Sequence, residues 1–240
     1  AFSHGFFELA ERARELGCTV DEGYALLYSA RLAHLPAIEA MIATGIDINS
    51  RRERLNDQTT AIEQAIRTND IPGEEGEKAD KRLEAIEFLL ANGADPNTLD
   101  DDGQPILYLA IENSYNDPRV VMSLIEHGAD TSNPDKKTGQ TPFFQVVRHA
   151  DKALLLSFLT GADGIDIEVT DPEGNTALHV YFKENSYFDI SYIRATVALG
   201  VPLEPTNNEG KSVLDILNEK RNELEDEYAV GQLDEVIELI

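Results

Sequence analysis

The 240-residue sequence predicts an all-α protein built from a repeated pair of helices, a solenoid. Three observations support this fold class. Short helix-opening stretches recur, and their reference positions are spaced 36, 45, 36, 35 and 36 residues apart, at Tyr24, Thr60, Pro105, Thr141, Thr176 and Ser212. Glycine-led segments such as GADPN at Gly93 and GADTS at Gly128 recur between them. The tetrapeptide ENSY occurs twice, 72 residues apart. A period of about 20 to 50 residues is the signature of repeat arrays.

Each period is predicted to contain two helices and a hairpin loop. The first helix follows a Thr or Ser that can cap it, as in GQTPFFQVV from Gly139 and GNTALHVYF from Gly174. The second helix has apolar residues at helical spacing, as in PRVVMSLIEHG, and ends at a glycine such as Gly128. The next segment, for example NTLDDDGQ, is rich in Asp, Asn and Gly, which predicts a turn. Both ENSY copies then fall between the two helices of a unit, with Asp117 and Asp189 capping the second helix.

These motifs resemble the ankyrin repeat, most closely in Gly139–Val147 and Gly174–Phe182 and in the two Gly-Ala-Asp triplets. The resemblance covers roughly residues 20 to 230, and GKSVLDIL from Gly210 is similar to a closing repeat. It implies an ankyrin-repeat solenoid of about six helix-turn-helix units with projecting hairpin loops. The chain is then one domain, with a capping helix over 1–19, repeats over 20–52, 53–99, 100–134, 135–169 and 170–205, and a closing repeat with acidic helices over 206–240.

Three segments depart from the repeat pattern. The stretch IPGEEGEKADKR, residues 71–82, accounts for the 45-residue spacing and is predicted to be a mobile acidic loop. Residues 3–16 have the spacing of an amphipathic helix and are expected to cap the array. Residues 222–240 combine seven acids with apolar residues, so they form either capping helices with one acidic face or a docking tail.

Composition excludes several classes of function. The formal net charge is −25, which disfavours nucleic acids and anionic membranes as partners. The charge either attracts a basic protein partner or only maintains solubility. Cys18 is the only cysteine, no run is apolar enough to span a bilayer, and the first residues lack the pattern of a signal peptide. We therefore expect a monomeric cytoplasmic protein, with a secreted effector as the alternative.

No pattern in the sequence indicates catalysis, a cofactor or a metal site. Gly210 and Lys211 resemble the end of a phosphate-binding loop, but Pro205 stands where that motif requires glycine. His179 occupies the histidine position of the Thr-Pro-Leu-His motif, where the resemblance implies a structural hydrogen-bonding role. We therefore expect a protein that is not an enzyme.

The resemblance implies that a partner protein binds through the hairpin tips and the concave ends of the first helices. Tyr108 and Phe144 share the motif's histidine position, so packing inside the array is an alternative for both, and Tyr115 and Tyr187 are either exposed or folded over their own loops. The candidate binding residues are Asp101, Asp102, Gln104, Tyr108, Glu112, Asn113, Tyr115, Lys137, Gln140, Phe144, Arg148, His149, Glu173, Asn175, Lys183 and Tyr187.

Two asparagines are candidate modification sites. In similar proteins the Asn of the Gly-Ala-Asp-x-Asn segment can be hydroxylated by an asparaginyl hydroxylase, which implies Asn97 and Asn49 as candidate sites here. The alternative is that both side chains hydrogen-bond to backbone groups and hold their turns.

The sequence as a whole favours a protein-binding module that acts as a scaffold, a targeting unit or an effector arm. Three alternatives remain: a stoichiometric inhibitor of a basic partner such as a toxin, a substrate-recruiting arm of a larger enzyme, and a structural spacer.

Overall fold

A computed structural model describes most of the chain, in the ranges 22–51, 59–68, 75–100, 102–113, 117–149, 151–161, 165–185, 188–223 and 227–239. The predicted capping helix over 1–19 lies outside these ranges. The regular secondary structure of the described residues is all α-helical, apart from one isolated β-bridge between Leu99 and Pro105 at the base of a hairpin loop. The prediction of an all-α fold is therefore confirmed.

The chain divides into two compact units, of which the first is Ala1–Ala129. Its described residues form three helix pairs: α1 (Glu22–Arg31) with α2 (Leu35–Ala43), α3 (Ala61–Arg67) with α4 (Glu75–Ala91), and α5 (Ile106–Glu112) with α6 (Arg119–Glu126). Inside this unit each first helix packs against the next first helix, and each second helix against the next second helix. The pairs therefore stack in two layers.

The second unit is Asp130–Ile240 and has the same internal arrangement. Its helix pairs are α7 (Pro142–Arg148) with α8 (Lys152–Gly161), α9 (Ala177–Glu184) with α10 (Ile190–Ala198), and α11 (Val213–Glu223) with α12 (Glu227–Leu239). Each of the predicted intervals from 20–52 to 206–240 contains one helix pair. The division into repeats at those boundaries stays a prediction.

The core lies between the stacked pairs. The second residue after the helix-opening position, Pro105 or Thr176, is an example: Leu107 and Leu178 are each 1% exposed. The equivalent residue of the last pair, Leu214, is 40% exposed, because α11 is the last first helix of its unit. Stacking, and not the single helix pair, therefore supplies the apolar burial that stabilises the fold.

The prediction of a mobile loop over 71–82 is wrong for residues 75–82, which the structure describes. Residues 75–82 form the first two turns of α4, which is 17 residues long. Lys81 Nζ lies 2.7 Å from Glu77 Oε1, a pair one helical turn apart, and Arg82 donates to the backbone oxygen of Thr68. Acidic residues also stabilise the N-terminal end of a helix. The acidic composition that suggested disorder therefore extends a helix.

The helix ends follow the predicted capping chemistry only in part, since Thr141 is the N-cap of α7 but its side chain makes no capping hydrogen bond. Asp189 is the N-cap of α10, and its carboxylate accepts hydrogen bonds from the backbone N–H groups of Ser191 and Tyr192. The N-cap of α6 is Pro118, one residue after the predicted Asp117. Gly128 follows the second helix of its pair with φ +92°, a left-handed conformation that suits glycine.

Candidate protein-binding surface

The hairpin loops of the second unit are held in shape by their own side chains. Asp171 Oδ1 accepts hydrogen bonds from the backbone N–H groups of Glu173 and Asn175, at 3.1 and 2.8 Å. Asn207 repeats this arrangement one period later and donates from Nδ2 to Asn175 Oδ1 at 2.9 Å. Adjacent loops are therefore cross-linked, and Glu173 is presented to solvent on a fixed turn.

Two of the candidate residues beside these loops are largely internal. Gln140 is 8% exposed and Asn175 is 5% exposed. Asn175 directs its side chain to Asp171 and Asn207, where it joins neighbouring hairpins. Their role in the structure is to hold the loops, and the surface available to a partner is formed by their exposed neighbours Lys137 and Glu173.

The last turns of α7 and α9 place charged side chains in solvent. Arg148, Lys183 and Glu184 are exposed, and His149 is half-buried. Arg148 Nη1 lies 3.5 Å from Glu184 Oε2, which links the ends of two successive first helices. We name the exposed hairpin residues together with the last turns of the first helices, in each unit, the first-helix strip.

A groove of about 370 Å³ adjoins the strip in the second unit. Lys211 at its edge binds Glu219 at 2.8 Å and Glu209 at 3.3 Å, and these carboxylates raise the pKa of the lysine. The groove combines both charge signs with one aliphatic side chain, and its lining includes Glu173, Lys183, Glu209, Lys211, Ile216 and Glu219.

The strip of the first unit has a similar composition. Arg67, in the last turn of α3, pairs with Glu63 at 2.9 Å and with Asp100 at 3.5 Å. Asp100 also accepts from the backbone N–H groups of Asp102 and Gln104, at 3.0 and 2.9 Å, and so shapes the hairpin that carries them. Asp102, Glu112 and Asn113 are exposed, and Gln104 is half-buried.

The aromatic candidates divide into buried and undescribed residues. Tyr108 is 0% exposed and Phe144 is 1% exposed, so both pack inside their units and neither can anchor a partner. The packing alternative is the one that fits these two residues. Asp101, Tyr115 and Tyr187 lie outside the described residues.

Sequence reasoning missed one aromatic pair, in which Tyr24 is exposed and Tyr28 is half-buried. Tyr24 is 39% exposed and stacks on Tyr28, with 6.0 Å between the ring centroids. Both lie on α1, four residues apart, so they share one helix face with Arg31. The repeat register contains this information, because Tyr24 is itself one of the reference positions that define the period.

The two candidate hydroxylation sites hold the joints between repeats of the first unit. Asn49 donates to the backbone oxygen of Gly93 at 2.9 Å and accepts from the N–H of Asp95 at 2.8 Å. Asn97 donates to the backbone oxygen of Gly128 at 3.0 Å. This geometry supports the alternative that both side chains stabilise turns, and hydroxylation stays a prediction.

His179 lies at a joint between repeats of the second unit and is completely buried. Its Nδ1 accepts from the backbone N–H of Thr176 at 3.2 Å and lies 2.8 Å from the Thr176 hydroxyl, a capping box. Its Nε2 lies 3.0 Å from the backbone oxygen of Lys211, to which it donates. Burial lowers the pKa of His179, and the bond to Lys211 only partly opposes this. The imidazole is therefore neutral and structural.

Within the described ranges no three His, Cys, Asp or Glu side chains form a group suited to a metal ion. No described helix has both the length and the apolar character required to cross a membrane.

Solved structures with the same fold include three that this chain matches over most of its length. A chain from the complex of the predatory endopeptidase Bd0816 of Bdellovibrio bacteriovorus with immunity protein Bd3460 is 22% identical, with a TM-score of 0.62 over 88% of this chain and 96% of that one. An ankyrin repeat domain (ABAYE2397) from Acinetobacter baumannii AYE is 17% identical, with a TM-score of 0.68 over 90% and 95%. EF0377, an ankyrin repeat protein, is 15% identical, with a TM-score of 0.66 over 92% and 98%.

At the level of sequence, residues 78–171 match the family model for ankyrin repeats (3 copies). The matched residues run from α4 to the hairpin that precedes α9. Ankyrin repeats are protein–protein interaction modules and are typically non-catalytic scaffolds. Residues 78–171 are therefore similar to ankyrin repeats, and the chain shares the fold of ankyrin-repeat proteins.

Proposed function

We propose that the chain binds a partner protein through the first-helix strip. The observation that carries this proposal is the contrast between the strip and its support in the second unit. Glu173, Lys183 and Glu184 are exposed, whereas Asp171 and Asn175 beneath them are buried and hydrogen-bonded to the hairpins. A pre-formed polar surface loses little conformational entropy on binding, so it suits recognition of a folded partner.

The binding function needs no chemistry from the chain itself. The strip contains ion pairs and hydrogen-bonded turns. The buried His179 is hydrogen-bonded to Thr176 and Lys211. The protein therefore acts by occupying a surface of its partner, as a scaffold, a targeting unit or an effector arm. We propose that it does so as a cytoplasmic monomer and not as an enzyme.

A second candidate function is stoichiometric inhibition of the partner. The similarity to a chain from an endopeptidase–immunity protein complex supports this candidate, because the match covers 96% of that chain. The formal charge of −25 adds a second argument, since a strongly acidic protein is steered towards a basic target over long range. In this function the chain covers a surface that the target needs for its activity, and one copy of the chain inactivates one target molecule.

Site-specific photo-crosslinking tests the proposed surface. A photoreactive amino acid replaces Glu173 or Glu184 in the strip and, as matched controls, Lys152 or Arg194 on the second helices, all four exposed side chains in one unit. Crosslinking in native lysate, followed by mass spectrometry, should recover the same protein from both strip positions and not from the controls. Equal recovery from the control positions would refute the assignment of the surface.

The recovered partner then separates binding from inhibition. Its own activity, measured against increasing amounts of the chain, should fall to background near a 1:1 ratio if the chain is an inhibitor. Unchanged activity at full occupancy would exclude inhibition and leave the scaffold or targeting role. Repeating the crosslinking at high salt shows whether long-range charge contributes, since screening weakens such steering.

A further inference from the structure

Basic residues are distributed unevenly between the two helices of the repeats. The last turns of four first helices contain an exposed base: Arg31 in α1, Arg67 in α3, Arg148 in α7 and Lys183 in α9. The described last turns of the second helices α2, α4, α6, α8, α10 and α12 contain none. This is a strong bias in a chain with 20 basic and 45 acidic residues.

The helix dipole does not account for the bias. Basic side chains near the C-terminal end of any helix are stabilised by the partial negative charge there. The second helices end with the same backbone polarity, yet their described last turns contain no Lys or Arg. The bases are therefore selected by the side of the repeat on which they lie, which is the side of the first-helix strip.

The first helices α5 and α11 have Glu112 and Glu219 at the position equivalent to these four bases. The last turn of α5 ends in Glu112 and contains no base. Lys220 and Arg221 of α11 are used inside their own unit. Lys220 donates to the backbone oxygen of Phe182 at 2.9 Å, and Arg221 forms an ion pair with Asp234. Arg67 and Arg148 are likewise ion-paired within their own units, whereas no such pair of Lys183 is present among the described residues.

Lys183 has the environment of a binding residue. Its side chain is exposed and lines the groove of about 370 Å³. Lys211, the other lysine of that groove, is neutralised by Glu209 and Glu219. Among the described residues of this unit, no hydrogen bond or ion pair of the Lys183 ammonium is present. The third carboxylate of the groove, Glu173, is one of these residues and forms no ion pair with Lys183, so a carboxylate placed beside the lysine could form one.

We propose that the partner presents an acidic loop to the first-helix strip, with an Asp or Glu side chain in the groove beside Lys183 and a further carboxylate near Arg148. The inference rests on the proposed function and names the chemistry of the partner at that surface. A partner can be basic overall and acidic at this contact. Exposed charges interact over about 8 Å at physiological ionic strength, so the residues of the strip determine which charges bind at the contact. The net charge of the chain affects the rate at which the two proteins meet.

Selection from a random 12-residue peptide library tests the proposal with a defined probe. The wild-type chain is compared with the variant Arg148→Glu/Lys183→Glu and with a matched control, Lys152→Glu/Arg194→Glu. Both variants change the formal charge equally, but the control changes lie on second helices of the same unit. Thermal unfolding of all three chains establishes that each is folded.

The wild type and the control should retain peptides enriched in Asp and Glu relative to the starting library, and the strip variant should not. One selected acidic peptide, labelled and titrated by fluorescence anisotropy, should bind the strip variant at least about tenfold more weakly, because each exposed ion pair contributes roughly 1.5- to 5-fold and reversal adds repulsion. The control variant should bind it within about twofold of the wild type.

Three results would overturn the proposal: no acidic enrichment, equal loss of binding in both variants, or equally tight binding of a single-stranded oligonucleotide, which would indicate a general anion site. Each leaves the proposed function standing if the crosslinks from Glu173 and Glu184 still identify one protein. Failure of those crosslinks, in contrast, would refute the surface itself.

Discussion

The joint at His179 gives the sharpest test of how the repeats are held together. One side chain caps its own helix through the Thr176 N–H, and it also bonds to the backbone of the next repeat at Lys211. Two substitutions separate these roles. His179→Gln preserves the capping box, since Gln is a normal partner at this position, but loses the bond to the next repeat. His179→Phe fills similar space, as Phe144 does at the equivalent position, and loses both bonds.

The structure sets the expected magnitudes. A hydrogen bond contributes about 1 kcal/mol, and a buried group left without a partner costs about 1–3 kcal/mol. Thr176 is completely buried, so its N–H has no access to water once the imidazole is removed. We therefore expect His179→Gln to destabilise the fold by about 1 kcal/mol and His179→Phe by about 2–4 kcal/mol.

Urea unfolding followed by circular dichroism at pH 7.5 measures both differences. Native-state amide exchange at residues 176–180 and 211–213 shows where in the chain stability is lost, because the two substitutions should increase the exchange rates of different backbone amides. If the free energy of unfolding of His179→Phe lies within about 0.5 kcal/mol of the wild-type value, His179 stabilises the fold only by filling space, and the hydrogen-bond argument is wrong.

The same residue predicts a pH dependence. The pKa of His179 is lowered from its ordinary value of 6.5 by burial, so the unfolded chain binds a proton more readily than the folded chain does. Stability from this group is complete above pH 6.5 and is lost as the pH falls towards the lowered folded pKa. In His179→Phe this contribution should disappear. Parallel pH profiles for the two proteins between pH 5 and 7.5 would contradict the burial of a neutral imidazole.

Three further substitutions test the packing of the second unit. Gly174 and Gly210 occupy equivalent hairpin positions, with φ values of +76° and +75°. A Cβ added at Gly174 would lie 2.6 Å from Asn208 Oδ1, whereas a Cβ added at Gly210 would have no such neighbouring atom within 4 Å. Gly210→Ala should therefore cost about 1–2 kcal/mol, and Gly174→Ala at least about 1 kcal/mol more; equal losses in the melting temperature would contradict the close approach of the loops. Tyr192→Phe removes the bond from the Tyr192 hydroxyl to the backbone oxygen of Val147 at 2.8 Å and should cost about 1–1.5 kcal/mol, and an unchanged urea midpoint would show that this buried bond is not net stabilising.

The periodicity of the sequence was sufficient to predict the helix pairs, because the same backbone problem recurs in every repeat. Each first helix needs a start, and each second helix needs an end. Thr60 and Thr176 stand at the starts of first helices, and Gly128 stands at the end of a second helix. These residue types are favoured at such helix ends. Even Ala33 adopts φ +48°, a left-handed conformation that usually requires glycine, so the backbone conformation at this position does not depend on the residue type.

The candidate site was less predictable, because exposure depends on stacking. Position and composition marked Tyr108 and Phe144 as aromatic anchors, yet both face the interior of their units. Tyr24 is equivalent to the capping threonines but remains on the surface. A period locates equivalent residues along the chain, but whether a given side chain is covered depends on the size of its neighbours in the adjoining repeat.

One register position shows why individual residues at the joints escape prediction. It is occupied successively by Leu27, Glu63, Tyr108, Phe144, His179 and Asp215. Glu63 is completely buried and pairs with Arg67, whereas Asp215 is exposed and accepts from both the N–H and the hydroxyl of Ser212.

The same position thus supports apolar packing, a buried ion pair with the next turn of its own helix, or a capping bond at the start of its own helix. The exposed bases of the first helices follow a different rule, since they recur as Arg31, Arg67, Arg148 and Lys183 with the charge preserved. Within this chain, the residues at the joints differ in chemistry from repeat to repeat, while the solvent-facing position is basic in four repeats and is Glu112 or Glu219 in the other two. Packing does not require a charge on an exposed side chain, so we attribute the four bases to what binds there.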